Sequence, residues 1–245
     1  MTLLTSFGES VQAVVIGASG AIGGALVDQL AACANVHSIR ACSRIPRRHE
    51  SSKVEARPID ILDERSIEAA LAGLDRIDLA IVATGRLHEQ GGMQPEKSWR
   101  SLETPALLQS FAVNAIGPAL VAKHVLPRLP RTGKAVFAAL SARVGSIADN
   151  RLGGWYGYRA SKAALNQLIR TLSIELARQR PDAVCVALHP GTVDSDLSRP
   201  FQSGVDPDQL FTATSAAEYL LAVIDALDAT RSGELVAWDG RTIPP

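Results

Sequence analysis

The chain has 245 residues, of which 47% are hydrophobic and 20% are charged. This composition is ordinary for a globular domain, and it excludes a disordered tail, a collagen-like fibre and a disulfide-dense scaffold. Lys and Arg (25) balance Asp and Glu (25), so no bulk charge attracts nucleic acid or an anionic membrane, and neither partner is expected. The cysteines Cys33, Cys42 and Cys185 are widely spaced and predict buried, reduced thiols. The five histidines show no metal-ligand spacing, so no metal is expected.

Residues 1–12 lack the pattern of a secretory signal peptide. The apolar stretches are interrupted by Asp, Arg, Gly or Pro before the roughly 18 residues that a membrane span needs. We therefore expect a cytoplasmic protein without a membrane-spanning segment.

Short apolar runs and longer amphipathic stretches alternate along the chain. The runs predict strands at residues 13–16, 36–42, 53–59, 77–82, 134–140, 183–188 and 234–238. The stretches predict a helix to about residue 30 and helices at 63–71, 102–129 with a kink at Pro118, 156–180 and 215–227. Because a parallel crossover takes a dozen or more residues, the alternation predicts an α/β fold: a single doubly wound parallel sheet of seven strands with helices on both faces. We expect one domain over residues 1–245, with a short substrate lid near 197–211.

A glycine-rich turn follows the first predicted strand and opens a helix. Its residues are Gly17, Ala18, Ser19, Gly20, Ala21, Ile22, Gly23 and Gly24. A helix N-terminus at the end of a strand offers free N–H groups to a pyrophosphate, and glycine lets the backbone approach it. The spacing Gly-x-x-Gly-x-x-Gly differs from the usual dinucleotide fingerprint, so a merely structural turn stays open. Its place between strand and helix favours dinucleotide binding.

Tyr158 and Lys162 lie four residues apart on a predicted helix and therefore share a face. An ammonium near a phenol favours the phenolate and lowers the pKa of the tyrosine, which suits a general acid or base. Without the glycine turn, a solvated lysine beside a packed tyrosine would be the favoured interpretation of this pair.

Together, the glycine turn and Tyr-x-x-x-Lys resemble the short-chain dehydrogenase/reductase family over nearly the whole chain. The run from Tyr158 to Asn166 is close to that family's signature, and Asn114 and Pro190-Gly191 with Ser195 match in the expected order. The stretches 143–147 and 153–156 are similar to carbonyl reductases and C-factor-like proteins. The resemblance implies a doubly wound Rossmann fold and NAD(P)-dependent oxidoreductase activity on carbonyl or alcohol groups.

The resemblance also implies a role for each matching residue. Tyr158 would pass a proton to the carbonyl oxygen, Lys162 would lower the tyrosine pKa and hold the nicotinamide ribose, and Asn114 would anchor a water in the proton relay. The implied cofactor contacts, besides Tyr158 and Lys162, are Gly17, Ser19, Gly20, Ala21, Ile22, Gly23, Ser43, Arg44, Asp60, Ile61, Ala83, Thr84, Gly85, Pro190, Gly191, Val193 and Ser195.

The match fails at the serine that orients the carbonyl. Where the family usually has Ser-Ser after the fifth strand, this chain has Ser141-Ala142. Because strand side chains alternate faces, Ser141 reaches the site only if the strand end bends. We expect Ser141 to take the role, with Ser146 or no serine as alternatives.

A second departure follows the fourth strand, where Val82-Ala83-Thr84-Gly85 replaces the family's Asn-Asn-Ala-Gly. Gly85 keeps the close approach to the cofactor. The lost amides suggest altered stability more than lost cofactor binding, and Thr84 is expected to recover one hydrogen bond.

The end of the second strand favours NADP over NAD. An NAD enzyme needs an acidic side chain there, whereas this chain has Cys42-Ser43-Arg44 with Arg47 and Arg48 nearby. A guanidinium suits a 2′-phosphate through forked hydrogen bonds. A solvated basic turn is the alternative.

These patterns predict a cytoplasmic NADP-dependent enzyme that reduces a small carbonyl compound or, in the reverse direction, oxidises the corresponding alcohol. The resemblance implies a homodimer or homotetramer formed through the helices of Asn114 and Tyr158. The departures at Ala142 and Val82-Ala83 leave open a dinucleotide-binding signalling or regulatory protein with little turnover.

Overall fold

The computed structural model describes residues 4–89 and 92–245, which fold around a central sheet. The strands, in chain order, are β1 (Val11–Ile16), β2 (Val36–Ser43), β3 (Val54–Pro58), β4 (Leu79–Val82), β5 (Ala135–Leu140), β6 (Ala183–His189), β7 (Thr192–Val193), β8 (Leu210–Phe211), β9 (Leu235–Ala237) and β10 (Thr242–Ile243). Eight of them form one sheet in the order β10-β9-β6-β5-β4-β1-β2-β3. Seven are parallel and β10 runs antiparallel to β9. The α/β class is confirmed, whereas the count of seven strands missed β10, whose two residues are too few to show a period.

The helices are α1 (Ala21–Ala32), α2 (Glu64–Ala70), α3 (Thr104–Phe111), α4 (Gly117–Val125), α5 (Tyr156–Ala177) and α6 (Ala213–Ala226). They cover both faces of the sheet, and each face has its own apolar core. In β5, Val136 and Ala138 pack into the core under α1 and α6, whereas Ala135, Phe137 and Ala139 pack into the core under α4 and α5. This alternation explains why the strand is apolar at every position.

The stretch predicted as one helix over 102–129 is divided. A π-helical turn, Ala112–Ile116, separates α3 from α4, so the irregularity lies before Pro118 instead of at it. Gly117 permits close packing there, because a Cβ at this position would lie 2.5 Å from Ile61 Cδ1. The wider turn contains Asn114, and π-turns are frequent at functional sites.

One expectation about membranes needs correction. Among the described residues, the helical segment Thr104–Arg128 is long and apolar enough to cross a membrane by length and composition, with a mean hydropathy of 1.4. The sequence had suggested no such stretch because Pro105 and Pro118 interrupt it. In the structure this segment packs against α5 and β5 with Val121, Ala122 and Val125 buried.

A small parallel pair, β7 with β8, closes the base of the predicted lid. Between these strands the chain forms two 3-10 helices, Arg199–Gly204 and Pro207–Gln209. The segment is therefore more regular than its Pro and Gly content suggested. Its two ends are held together beside the carboxyl end of β6.

Candidate active site

The glycine turn after β1 is built so that only glycine fits at two of its positions. Gly17 has φ +92°, and a Cβ there would lie 2.9 Å from the Ala83 carbonyl carbon. At Gly23 a Cβ would lie 2.1 Å from Gly17 O. The N-cap of α1, Gly20, contributes no side-chain hydrogen bond, so the first N–H groups of α1 remain available to an anion.

A cleft of about 540 Å³ runs from this turn along the carboxyl ends of the strands. This size is within the range of small-molecule and cofactor sites. Ten residues predicted as cofactor contacts line it: Gly17, Ser19, Gly20, Ser43, Arg44, Asp60, Ile61, Ala83, Thr84 and Gly85. Nine further lining residues were not predicted as cofactor contacts: Ile59, Leu62, Arg86, Leu87, His88, Glu89, Val113, Asp196 and Leu197. The other predicted contacts, Ala21, Ile22, Gly23, Pro190, Gly191, Val193, Ser195, Tyr158 and Lys162, lie outside the lining.

The outer end of the cleft is basic. Arg44 is exposed at its rim, whereas the Ser43 hydroxyl is buried and donates to Ile45 O at 2.8 Å. A smaller cavity of about 170 Å³ continues past Ser43 and is lined by Arg47 and His49. Arg48 is exposed and lines neither cavity. Arg44 thus lines the cleft and Arg47 lines the smaller cavity, and the two cavities share Ser19, Gly20 and Ser43.

Thr84, in the middle of the cleft, does not recover the hydrogen bond expected of it. Its Oγ1 is buried and has no hydrogen-bond partner within residues 4–89 and 92–245. The two amides of the family motif fall at Val82 and Ala83, whose side chains are apolar, so Thr84 stands one position beyond them. An orphaned hydroxyl beside a glycine-lined groove is a group that a bound dinucleotide can satisfy, so the residues fit a dinucleotide.

Tyr158 and Lys162 lie in the first two turns of α5. Lys162 Nζ donates to Leu140 O at 2.7 Å and lies 5.8 Å from the centroid of the Tyr158 ring. A Cβ at Gly85 would lie 3.9 Å from that Nζ, so the ammonium borders the cleft wall.

The acid-base properties of the pair differ from the sequence expectation. Burial lowers the pKa of Lys162 to about 7. Burial also raises the pKa of Tyr158 to about 12, which is opposite to the lowering that the resemblance implies. The physical reason is that both side chains are desolvated together, and a lysine that tends to lose its proton stabilises a phenolate less.

Asn114 ties three elements together from the π-helical turn. Its Oδ1 accepts from Arg86 N, and its Nδ2 donates to Arg86 O, all at 2.8 Å. The same Nδ2 donates to Ser161 Oγ at 3.0 Å, one residue before Lys162. Both amide protons are thereby used, and Asn114 connects the loop after β4 to α5 through these hydrogen bonds. Its part in a proton relay stays a prediction.

Both candidate serines use their hydroxyl oxygen in a hydrogen bond within the chain, but only Ser141 donates. Ser141 Oγ donates to Asn166 Oδ1 at 2.7 Å, one turn beyond Lys162. Ser146 Oγ accepts from Asp149 N at 3.0 Å and closes its own turn. To orient a carbonyl, Ser141 has to exchange its bond to Asn166 for one to the substrate. The catalytic role of Ser141 stays a prediction.

The segment after β6 supports the lid base instead of lining the cleft. Gly191 has φ +78°, and a Cβ there would lie 2.6 Å from the Phe211 ring. Ser195 Oγ donates to Val193 O at 3.2 Å. These contacts join the turn that starts at Pro190 to β8, and they bring Asp196 and Leu197 to the cleft wall.

An aromatic cluster joins the lid to the Tyr158 side of the site. Phe201 packs edge-on against Trp155 and His88, with ring centroids 4.9 and 5.6 Å apart. Trp155 in turn lies 6.3 Å from the Tyr158 ring. His88 Nε2 also lies 3.0 Å from Asp196 O, which links the β4 loop to the lid. The sequence predicted a lid near 197–211 but gave no signal for His88.

No cluster of three or more His, Cys, Asp or Glu side chains able to hold a metal occurs within residues 4–89 and 92–245. All three cysteines are buried.

Comparison with known proteins agrees with this geometry. The family model for short chain dehydrogenases matches residues 12–206. C-signal of Myxococcus xanthus is 37% identical over 139 residues, which are 56% of this chain and 78% of that protein. The 1-hydroxy-2-glutathionyl-2-methyl-3-butene dehydrogenase of Rhodococcus is 32% identical over 186 residues, 74% of this chain and 76% of that protein. The NADPH-bound carbonyl reductase from chicken fatty liver superposes with a TM-score of 0.81 at 25% identity, covering 97% of this chain and 100% of that one.

The chain belongs to the short-chain dehydrogenase family. It is an NAD(P)-dependent oxidoreductase that acts on CH–OH or C=O groups.

Proposed function

We propose that the protein is a cytoplasmic, NADP-dependent carbonyl reductase in which Tyr158 donates the proton. The observation that carries this is the place of Lys162: its Nζ borders the inner end of the glycine-lined cleft at Gly85, one helical turn from Tyr158. A dinucleotide along the cleft brings its nicotinamide end to this point. The NADPH-bound carbonyl reductase from chicken fatty liver supports the cofactor choice.

Different residues of the cleft would bind different parts of the dinucleotide. The free N–H groups at the start of α1 would hold the pyrophosphate, the dinucleotide would give Thr84 Oγ1 a partner, and Arg44 with Arg47 would hold the 2′-phosphate. When bound, the reduced nicotinamide supplies a hydride to the carbonyl carbon.

Two residues of the chain supply the proton that the carbonyl oxygen needs. The Tyr158 hydroxyl keeps its proton at neutral pH because burial raises its pKa to about 12, so it is a donor to the carbonyl oxygen. Lys162, with a pKa of about 7, can pass a proton toward the resulting phenolate. Leu197 in the cleft wall and the aromatic cluster beside Tyr158 give the lid side an apolar surface, which favours an apolar carbonyl substrate.

Apolar residues exposed on α3, on the π-helical turn and on α5 support a homodimer or homotetramer. Leu108 is 65% exposed, and Ile116 and Ile174 are each 50% exposed. Such side chains on neighbouring helices are typical of a subunit interface. Sedimentation velocity tests this assembly.

A signalling or regulatory role with weak turnover is the second candidate. Two observations favour it: the similarity to C-signal and Ala142 at the position of the family's catalytic serine. In this case the cleft still binds the dinucleotide, but turnover is slow because Tyr158 alone holds the carbonyl.

The test is to titrate NADPH by fluorescence and then to follow its oxidation with a panel of aromatic and aliphatic ketones and aldehydes. Tyr158→Phe should keep NADPH binding and lose turnover, because only the hydroxyl is removed. Tyr156→Phe, a matched change on the same helical turn, should keep both. Tight NADPH binding without Tyr158-dependent turnover would favour the second candidate.

A further inference from the structure

A buried carboxylate in the loop between β4 and α3 has no part in the roles described above. Glu96 is only 7% exposed. Its Oε2 accepts from Gly157 N at 3.1 Å, and its backbone O accepts from Trp155 N at 2.6 Å. None of the ion pairs found within residues 4–89 and 92–245 involves it. Glu96 therefore makes both of these bonds to the start of α5, the helix of Tyr158.

The start of α5 needs such support because its own N-cap is poor. Trp155 has φ 52° and ψ 43°, which is a left-handed conformation. Among the described residues, it is the only one other than glycine that has a positive φ. Its side chain makes no capping hydrogen bond. Residues in such conformations persist only where the surroundings fix them. Here the Glu96 carbonyl holds the Trp155 N–H.

The carboxylate also fits its place closely. A Cβ at Gly157 would lie 2.9 Å from Glu96 Oε1 and 3.2 Å from Ser110 Oγ, so glycine is required for the carboxylate to reach the backbone. A negative charge at the N-terminus of a 22-residue helix is favoured by the helix dipole. Glu96 thus supplies from another loop the capping group that Trp155 lacks.

We propose that Glu96 is a positioning residue for Tyr158, a proposal that rests on the function proposed above. Tyr158 directly follows Gly157, whose N–H the carboxylate holds, and its ring lies 6.3 Å from the Trp155 ring. By fixing the first turn of α5, Glu96 sets the direction in which the Tyr158 hydroxyl points. Glu96 has no contact with the glycine turn among its described bonds, so it acts on proton transfer and leaves cofactor binding alone.

The experiment compares Glu96→Ala and Glu96→Gln with Glu103→Gln, a nearby exposed glutamate whose side chain caps nothing. Because a displacement of about 1 Å at a reacting group can lower a rate about 100-fold, Glu96→Ala should lower kcat by about 10- to 100-fold. NADPH affinity and the number of NADPH sites should not change. Glu96→Gln keeps an amide oxygen as acceptor and should recover part of kcat, and Glu103→Gln should match the wild type.

A second measurement does not depend on turnover. Amide hydrogen exchange followed by mass spectrometry should be faster in Glu96→Ala over residues 156–160, with exchange near residue 170 unchanged. If the wild type oxidises no NADPH, the proposed function fails, and exchange alone decides the role of Glu96. Unchanged exchange in Glu96→Ala overturns the proposal. An unchanged kcat, or a loss of NADPH sites in proportion to kcat, overturns it as well.

Discussion

Replacing Lys162 by methionine should stabilise the protein at neutral pH while removing its activity. Burial lowers the pKa of Lys162 to about 7 from an ordinary 10.5. The folded chain therefore binds fewer protons than the unfolded chain between these values, and its stability rises with pH across that window. At pH 7 the burial of Lys162 costs about 4 kcal/mol, since each pKa unit corresponds to about 1.4 kcal/mol.

Part of that gain is offset. Lys162→Met leaves Leu140 O without its partner at 2.7 Å, which costs about 1–3 kcal/mol. The variant should therefore be about 1–3 kcal/mol more stable than the wild type at pH 7. At pH 9 the cost of burying the lysine falls to about 2 kcal/mol, so the advantage should shrink by about 2 kcal/mol.

Urea unfolding followed by circular dichroism at pH 7 and pH 9 measures both quantities. Lys97→Met is the control, because Lys97 is exposed and its replacement should give no pH-dependent difference. Carbonyl-dependent NADPH oxidation by Lys162→Met should be lost at both pH values. A stability difference that is the same at pH 7 and pH 9 would refute the reasoning.

Three further changes test other parts of the site. Arg44→Ala should weaken NADPH about 10-fold by fluorescence titration with little effect on NADH, because only the 2′-phosphate needs the guanidinium; equal losses would contradict this. Ala142→Ser should raise kcat/KM about 10-fold by adding a donor to the carbonyl, and an unchanged value would show that no serine is needed there. Burial lowers the pKa of His189 to about 4, so the wild type should lose stability as pH falls from 6.5 toward 4. Urea midpoints at pH 7 and 4.5 should show a smaller loss for His189→Gln, and parallel losses would argue against it.

The sequence predicted the layered architecture well because the signal there is strong. Seven apolar runs and the helical stretches between them correspond to the parallel strands and helices of the structure. What failed were features with no periodic signal. Strand β10 has only two residues. Each hydrogen bond of the π-turn at 112–116 spans one residue more than a hydrogen bond of an α-helix, which leaves no separate pattern in the sequence. Pro118 predicted an irregularity in this helical segment, but the irregularity lies a few residues earlier, at the π-turn.

At the site, residues fixed by backbone geometry were easier to predict than those fixed by long-range contact. Gly17 and Gly23 are needed wherever a helix packs this closely on a turn, and local spacing shows it. By contrast, Glu96 reaches α5 across 61 positions, and the proximity of His88 to Asp196 spans 108. No local pattern reports a pairing of that length. Ser141 shows the same limit, since its partner Asn166 could be identified only in the folded chain.

The features that ordinary rules of stability disfavour gather at one edge of the sheet. Lys162 is buried without a countercharge among its described contacts, Thr84 Oγ1 has no partner, and Trp155 is left-handed. Each lowers stability, and each lies beside the cleft or at the start of α5. Rules of folding that hold elsewhere in a chain are expected to fail where groups are held ready for a ligand. Partners that bound NADPH supplies to such groups should therefore raise its affinity, and saturating NADPH should raise the urea midpoint of unfolding by the amount that its Kd and concentration fix.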